Sequence, residues 1–468
     1  MREGSSGLAS SPEVTERIVQ TTNLKRTVLT IAGPAVLRTF LNMVVQMVDM
    51  IMIGGLGAAA VAAVGVSNQF FFLTVSAVQA FSMGATTLVA QNIGAGEVER
   101  AKTVARQALV GTILITFLFS IFIFAFTEQM IKLMLLAMEE LDQEVLGLST
   151  SYLRIISTSI MFRFTMIAIN GIFQGAGDSR TPLYFMILTN LLNVIGNYLL
   201  IFGIGFFPAL GVQGAAIATA ASGIIGGTVA FILLFTKYSP LPLSMRDDFR
   251  FDFTILRRIF KIGVPAALEQ VSIQGSQIVY TMIVASLGTL AIAAHQILHL
   301  TFIITHLPGI GFAVAANALV GQFLGAEKRQ WAFESAMLTL RYALFIMLGA
   351  GICYLFVPEL VLSLFTREAK VIALARFSLV LLAFAQPGIA VISALGGGLR
   401  GAGDTRWIML LTFLNMFGLR LAITLLLVLL GFGLNGVWMA MLLEILIRAA
   451  LIYRRFLIRI WDVERLSG

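Results

Sequence analysis

Residues 175–180 read Gly175-Ala176-Gly177-Asp178-Ser179-Arg180, and residues 401–406 read Gly401-Ala402-Gly403-Asp404-Thr405-Arg406. The two hexapeptides lie 226 residues apart, and each separates one long apolar run from the next. Working outward, a shift of 231 residues sets Pro34-Ala35 on Pro265-Ala266, Leu56-Gly57 on Leu287-Gly288, and Gln91 and Gly94 on Gln322 and Gly325. A shift of 222 places Gly211 and Gly214 on Gly433 and Gly436. The chain is therefore two copies of one unit, and the fold must be built twice.

What that unit is follows from composition. Of the 468 residues 58% are hydrophobic and 12% are charged, where a soluble domain carries roughly 25% charged residues. No soluble core absorbs that surplus, so soluble enzymes, disordered chains, collagens and disulfide scaffolds are excluded. A membrane-spanning helix needs about 20 mainly apolar residues. Twelve such runs lie near 28–53, 63–90, 103–127, 145–173, 181–205, 212–236, 258–286, 290–323, 331–357, 371–399, 406–430 and 434–455. The expected fold is an all-α polytopic membrane protein whose twelve helices form two pseudo-symmetric six-helix lobes. An even number of spans per copy inserts both halves the same way up, about a pseudo-twofold axis along the membrane normal.

Charge placement tests the span count. With the N-terminus inside, 22 Lys and Arg fall in inner segments, 3 in outer loops and 7 within spans. That bias is the positive-inside signature and places both termini in the cytoplasm. The net charge of +8 is thus an orientation signal, and no nucleic-acid partner is expected. The organisation read from the sequence is a cytoplasmic tail (1–26), an N-lobe (27–236), a cytoplasmic linker (237–257), a C-lobe (258–456) and a second tail (457–468). The lone Cys353 can form no intramolecular disulfide and makes a Cys-based metal site improbable.

Polar residues inside spans are costly, so each asks for a partner or a role. Arg38, Asn42, Gln46 and Asp49 follow one another at spacings of 4, 4 and 3, on one helical face. Asp49 is the only carboxylate deep in a span of the N-terminal half. Asn193 and Asn197 share a face of the fifth span, and Thr219 lies in the sixth. At the repeat positions stand Tyr280, Leu419, Ile423 and Met441, so this polar set is expected in one lobe only, as a functional site or as buried helix-to-helix glue. Glu269 falls opposite Arg38 in the repeat, and it is expected either to line the cleft, pairing with Arg38 as a gate or meeting a cationic substrate, or to be an ordinary buried pair.

Gln270, Gln274, Gln277 and Thr281 extend one face of the seventh span. His295, His299 and His306 share a face of the eighth, where proton-sensitive lining or plain packing fits better than a metal ligand. Glu444 and Arg448, four apart, are expected to satisfy one another. Arg163 and Arg420 lie deep enough to meet an anionic substrate. The Gly-Ala-Gly-Asp segments have no Walker Lys-Ser/Thr and no preceding strand, so they read as cytoplasmic turns in which Asp178 and Asp404 cap the following helices.

Taken in order, Val48-Asp49-Met50-Ile51-Met52-Ile53-Gly54-Gly55-Leu56-Gly57, the paired turns, Gly214-Ala215-Ala216-Ile217-Ala218-Thr219 and Pro265-Ala266-Ala267-Leu268-Glu269 resemble the multidrug and toxic compound extrusion (MATE) family of cation-coupled efflux transporters. The resemblance covers nearly the whole chain after the tail. It implies two six-helix lobes in a V around a central cleft, and a secondary antiporter in the plasma (inner) membrane. Such a protein exports amphipathic, often cationic compounds in exchange for protons or sodium by alternating access.

Asp49 matches the family's first-helix acid, and Asn193, Asn197 and Thr219 match the polar positions around it, a site for a proton or a sodium ion. From the polar faces and the repeat, cleft or substrate contacts are expected at Arg38, Asn42, Gln46, Glu269, Gln274, Gln277, Tyr280, His295 and His299. Two departures stand out: Asn197 replaces a second carboxylate carried by some members, and Phe384 to Leu399 lack the acid found in many tenth spans. No enzyme activity, no cofactor beyond the coupling ion and no metal are expected. The expected partners are small-molecule substrates and the lipid bilayer, and the chain is expected to act as a monomer. A flippase of the same superfamily for lipid-linked or anionic precursors is the alternative, suggested by Arg163 and Arg420.

Overall fold

The computed structural model describes residues 23–135 and 143–461. Its helices follow the apolar runs in order: α1 (Leu24–Gly54), α2 (Ala58–Gly94), α3 (Val98–Leu135), α4 (Gln143–Ser157), α5 (Ile160–Gly175), α6 (Arg180–Phe202), α7 (Gly211–Leu234) and α8 (Phe253–Ala285). After these come α9 (Thr289–Gly325), α10 (Arg329–Phe356), the short α11 (Pro358–Ser363), α12 (Ala369–Gly401), α13 (Thr405–Phe413), a π-helical turn (Leu414–Arg420), α14 (Leu421–Leu429) and α15 (Gly433–Trp461). Among the described residues nine helical segments are long and apolar enough to cross a membrane, and the bent pair α4–α5 adds a tenth. The expected spans 63–90 and 258–286 fall on the long helices α2 and α8, and the expected span 145–173 falls on the bent pair α4–α5. Side chains such as Leu118, Ile121 and Phe122 on α3 are exposed, as lipid-facing positions must be.

The bend between α4 and α5 measures 54° and has a local cause. Ser157, Thr158 and Ser159 turn their hydroxyls back onto the carbonyls of Arg154, Ile155 and Ile156 at 2.6, 2.7 and 2.8 Å. Three consecutive competitors for backbone acceptors break the helix without any proline.

The duplicated turns fold alike. Gly177 and Gly403 take φ of 86° and 79°, a left-handed conformation that suits glycine. In each turn the following Asp donates its backbone N–H at 2.9 Å, Asp178 to Phe173 and Asp404 to Leu399. The side chains then diverge. Asp178 Oδ1 accepts from the N–H groups of Arg180 and Thr181 at 2.9 and 3.0 Å, the expected cap of α6. Asp404 occupies the corresponding position but caps nothing, because Arg455 Nε of α15 takes its Oδ2 at 2.7 Å. The stronger charge-assisted bond displaces the cap.

The residues cluster into two compact units. Among the described residues the first holds 40–93, 97–135 and 143–263, and the second holds 23–39, 94–96 and 264–461. In the first unit the segment after α7 is packed down, with Leu241 and Leu243 buried in the hydrophobic cluster formed by α2, α3 and α5. Gln107 of α3 holds this segment from both sides, donating to Arg250 O at 2.6 Å and accepting from Asp252 N at 3.0 Å.

Candidate functional site

In the first unit, α6 and α7 come close because α7 is lined with small residues. A side chain at Gly214 would strike the Leu200 backbone, and one at Gly226 would strike Thr189. Close backbone approach of this kind is how helices meet where lipid offers no hydrophobic drive. Asn193 on α6 consequently donates to Thr219 Oγ1 on α7 at 3.0 Å. One turn along, Asn197 Nδ2 donates to Asp49 Oδ1 on α1 at 2.7 Å and lies 3.5 Å from Asn193 Oδ1. The four polar residues singled out in the sequence thus form one connected network across three helices. Asn193 and Asn197 are buried, while Asp49 and Thr219 are half-buried.

Two further residues belong here. Arg163 on α5, with its stem against Gly223, and Tyr152 on α4 both act electrostatically with Asp49. The bend between α4 and α5 lies between them in the chain. Tyr152 gave no sequence signal, because an isolated Tyr in an apolar run has neither charge nor repeat partner.

The same network asks for a counterpart in the second unit, and the structure supplies one of different chemistry. The 226-residue shift put Leu419 and Ile423 opposite Asn193 and Asn197, yet both are only half-buried. The π turn at Leu414–Arg420 inserts an extra residue into the helical repeat and slips the register by one. Arg420 and Thr424 are therefore the inward pair, 3% and 0% exposed. Thr424 Oγ1 donates to Tyr280 Oη at 3.5 Å, and the Arg420 guanidinium lies 3.7 Å from the Tyr280 ring centroid. The carboxylate-and-amide set stands in the first unit, and a guanidinium-centred cluster of different chemistry occupies the second. Tyr280, expected to line the cleft, is fully buried under that guanidinium.

Glu269 forms the buried pair rather than the gate with Arg38. It is 5% exposed, and its Oε1 accepts from Arg400 Nη2 at 2.6 Å and from Thr412 at 3.5 Å, so its partner is Arg400 and not Arg38. Arg400 was counted as a cytoplasmic loop charge. It sits in the last turn of α12, and Gly396 one turn earlier leaves room for its side chain to lie back along the helix.

The other expected contacts are dispersed. Asn42, Gln46 and Gln274 are exposed, and Arg38 is half-buried on α1. Gln277 Nε2 lies 3.2 Å from His299 Nε2, and the rings of His295 and His299 stack at 6.2 Å. His295 also packs on Trp438 at 5.7 Å and is buried. Glu444 and Arg448 pair at 2.9 Å as expected.

With this geometry in view, comparison with known proteins is decisive. A family model described as MatE matches residues 34–199 and again 265–426. The chain belongs to the MatE family. The two MatE matches begin 231 residues apart, the offset read from Pro34 and Pro265. Over 447 residues the chain is 27% identical to the probable multidrug resistance protein NorM of Thermotoga maritima, covering 94% of this chain and 93% of that protein. It is equally 27% identical to the uncharacterized transporter YisQ of Bacillus subtilis over 429 residues, 92% and 93% of the two chains. Among solved structures, an outward-facing multidrug resistance MATE family transporter superposes with a TM-score of 0.87 over 100% of both chains, at 20% identity. A MOP superfamily transporter from Pyrococcus furiosus superposes with a TM-score of 0.86 over 99% of this chain and 100% of that one, also at 20% identity. As a MatE member the chain is a multi-pass membrane transporter.

Proposed function

We propose that this MatE protein is a secondary antiporter that exports amphipathic, often cationic compounds in exchange for protons or sodium, with Asp49 as the coupling residue. The single observation that carries the reading is the Asp49–Asn197–Asn193–Thr219 network, a carboxylate on α1 held by amides on α6 and a hydroxyl on α7. Asp49 is half-buried, and Asn197 fixes one of its carboxylate oxygens. A carboxylate so placed can take up and release a cation, and two amide oxygens and a hydroxyl stand by to complete a sodium shell.

Coupling then requires that cation and substrate favour different states of the transporter. Relatives named as probable multidrug resistance proteins support a drug-like substrate. The reading places the protein in the plasma membrane with both termini inside, from the distribution of Lys and Arg. Ethidium efflux from proteoliposomes, under proton and sodium gradients imposed separately, tests it. Acceleration by one gradient and not by an electrically matched potassium gradient is expected, and indifference to both refutes antiport.

A further inference from the structure

Arg420 is only 3% exposed, and no carboxylate is committed to its positive charge among the described residues. Among the described residues Arg420 has no carboxylate partner, and its Nε makes no hydrogen bond. The nearest acid is Glu444, whose Oε1 lies 2.9 Å from Arg448 Nε and is committed to that second arginine. Two arginines and one glutamate leave this membrane-embedded cluster one positive charge in excess, and an unpaired buried charge costs several kcal/mol. Face-on contact with the Tyr280 ring offsets part of that cost.

The surroundings are not those of a structural arginine. The π turn, an unfavourable backbone form that recurs at functional sites, ends at Arg420 itself and turns it inward. His295 and His299 on α9 lie within electrostatic reach of it and add no negative charge. Gln277 and His299, bridged at 3.2 Å, are both half-buried and both able to donate to an oxygen. Phe302 stacks on His299 at 6.3 Å, and the ring of Phe417 lies against Gly275. A cation with an unused N–H, neutral donors beside it and flat rings around them is the chemistry that recognises an aromatic carboxylate.

We propose that the second unit binds an organic carboxylate, with Arg420 as the charged anchor and Gln277 and His299 at its mouth. This does not rest on the coupling role of Asp49, which lies in the other unit. The test is equilibrium binding of 1-pyrenebutyrate and of its neutral analogue 1-pyrenebutanol to the detergent-solubilised full-length chain. The wild type is expected to prefer the carboxylate about tenfold, the value of one charge-assisted contact. Arg420→Gln should abolish that preference while leaving pyrenebutanol binding unchanged, which also shows that the variant is folded.

Should Arg420→Gln fail to fold, Gln277→Leu and His299→Leu, at less buried positions, should each reduce the preference severalfold. Displacement of pyrenebutyrate by benzoate but not by oleate identifies a water-borne solute as the natural ligand, and displacement by oleate identifies a lipid; either supports a carboxylate site. Equal binding of the two pyrenes by the wild type, or a full preference retained in Arg420→Gln, overturns it.

Discussion

Asn197 donates its amide N–H to Asp49 Oδ1 across 2.7 Å, and this bond ties α6 to α1 inside the first unit. In the second unit Thr424 makes the corresponding bond to Tyr280, the residue at the repeat position of Asp49. One duplicated scaffold therefore carries a carboxylate in one copy and a guanidinium-covered phenol in the other.

Asn197→Leu removes the donor that fixes Asp49 while keeping the side chain's bulk. A hydrogen bond to a charged group is worth about 1.5–3 kcal/mol, so the cation concentration for half-maximal transport should move roughly tenfold or more: down if the coupling ion is a proton, whose binding the donor opposes, and up if it is sodium, which loses an amide oxygen. Initial transport rates against cation concentration check this, with Asn193→Leu expected to have a smaller effect because it touches Thr219 rather than the acid.

The membrane helices were legible because each is a long apolar run, and burial in lipid leaves the chain few other choices. The Asp49 network was legible in part, because its members sit at helical spacing and lack repeat partners. Two contacts were not. Arg400 reaches Glu269 from 131 residues away, so no local pattern announces it. Arg420 and Thr424 were misread by one position because a π turn changes the residue count per turn without any diagnostic residue.

Breaking the Glu269–Arg400 pair should be costly in one direction and largely reversible in the other. Arg400→Gln leaves a buried carboxylate unpaired, at about 3–5 kcal/mol, whereas the double variant Glu269→Gln with Arg400→Gln removes both charges and should recover most of that loss. Thermal unfolding of the wild type, Glu269→Gln, Arg400→Gln and the double variant in detergent gives the comparison, with an additive double variant speaking against direct pairing.

Gly177→Ala and Gly403→Ala force a side chain into left-handed backbone, at about 1–3 kcal/mol each. Gly33→Ala, in α1 with open space around it, should be neutral or slightly stabilising. Melting temperatures of the three variants order themselves accordingly.

Gln107→Ala cuts the two bonds that hold the segment after α7 against α3. Trypsin should then cleave after Arg246 and Arg250 faster than in the wild type, read by the appearance of two half-length fragments. Unchanged cleavage would mean that Leu241 and Leu243 alone keep the segment docked.

The central claim is that Asp49 couples cation movement to export. Its most direct test is gradient-driven ethidium efflux from proteoliposomes holding wild-type or Asp49→Asn protein at equal reconstituted amounts, alongside ethidium binding to each in detergent. The account predicts that Asp49→Asn binds ethidium and loses its response to both proton and sodium gradients; gradient-driven efflux at the wild-type rate in that variant would contradict it.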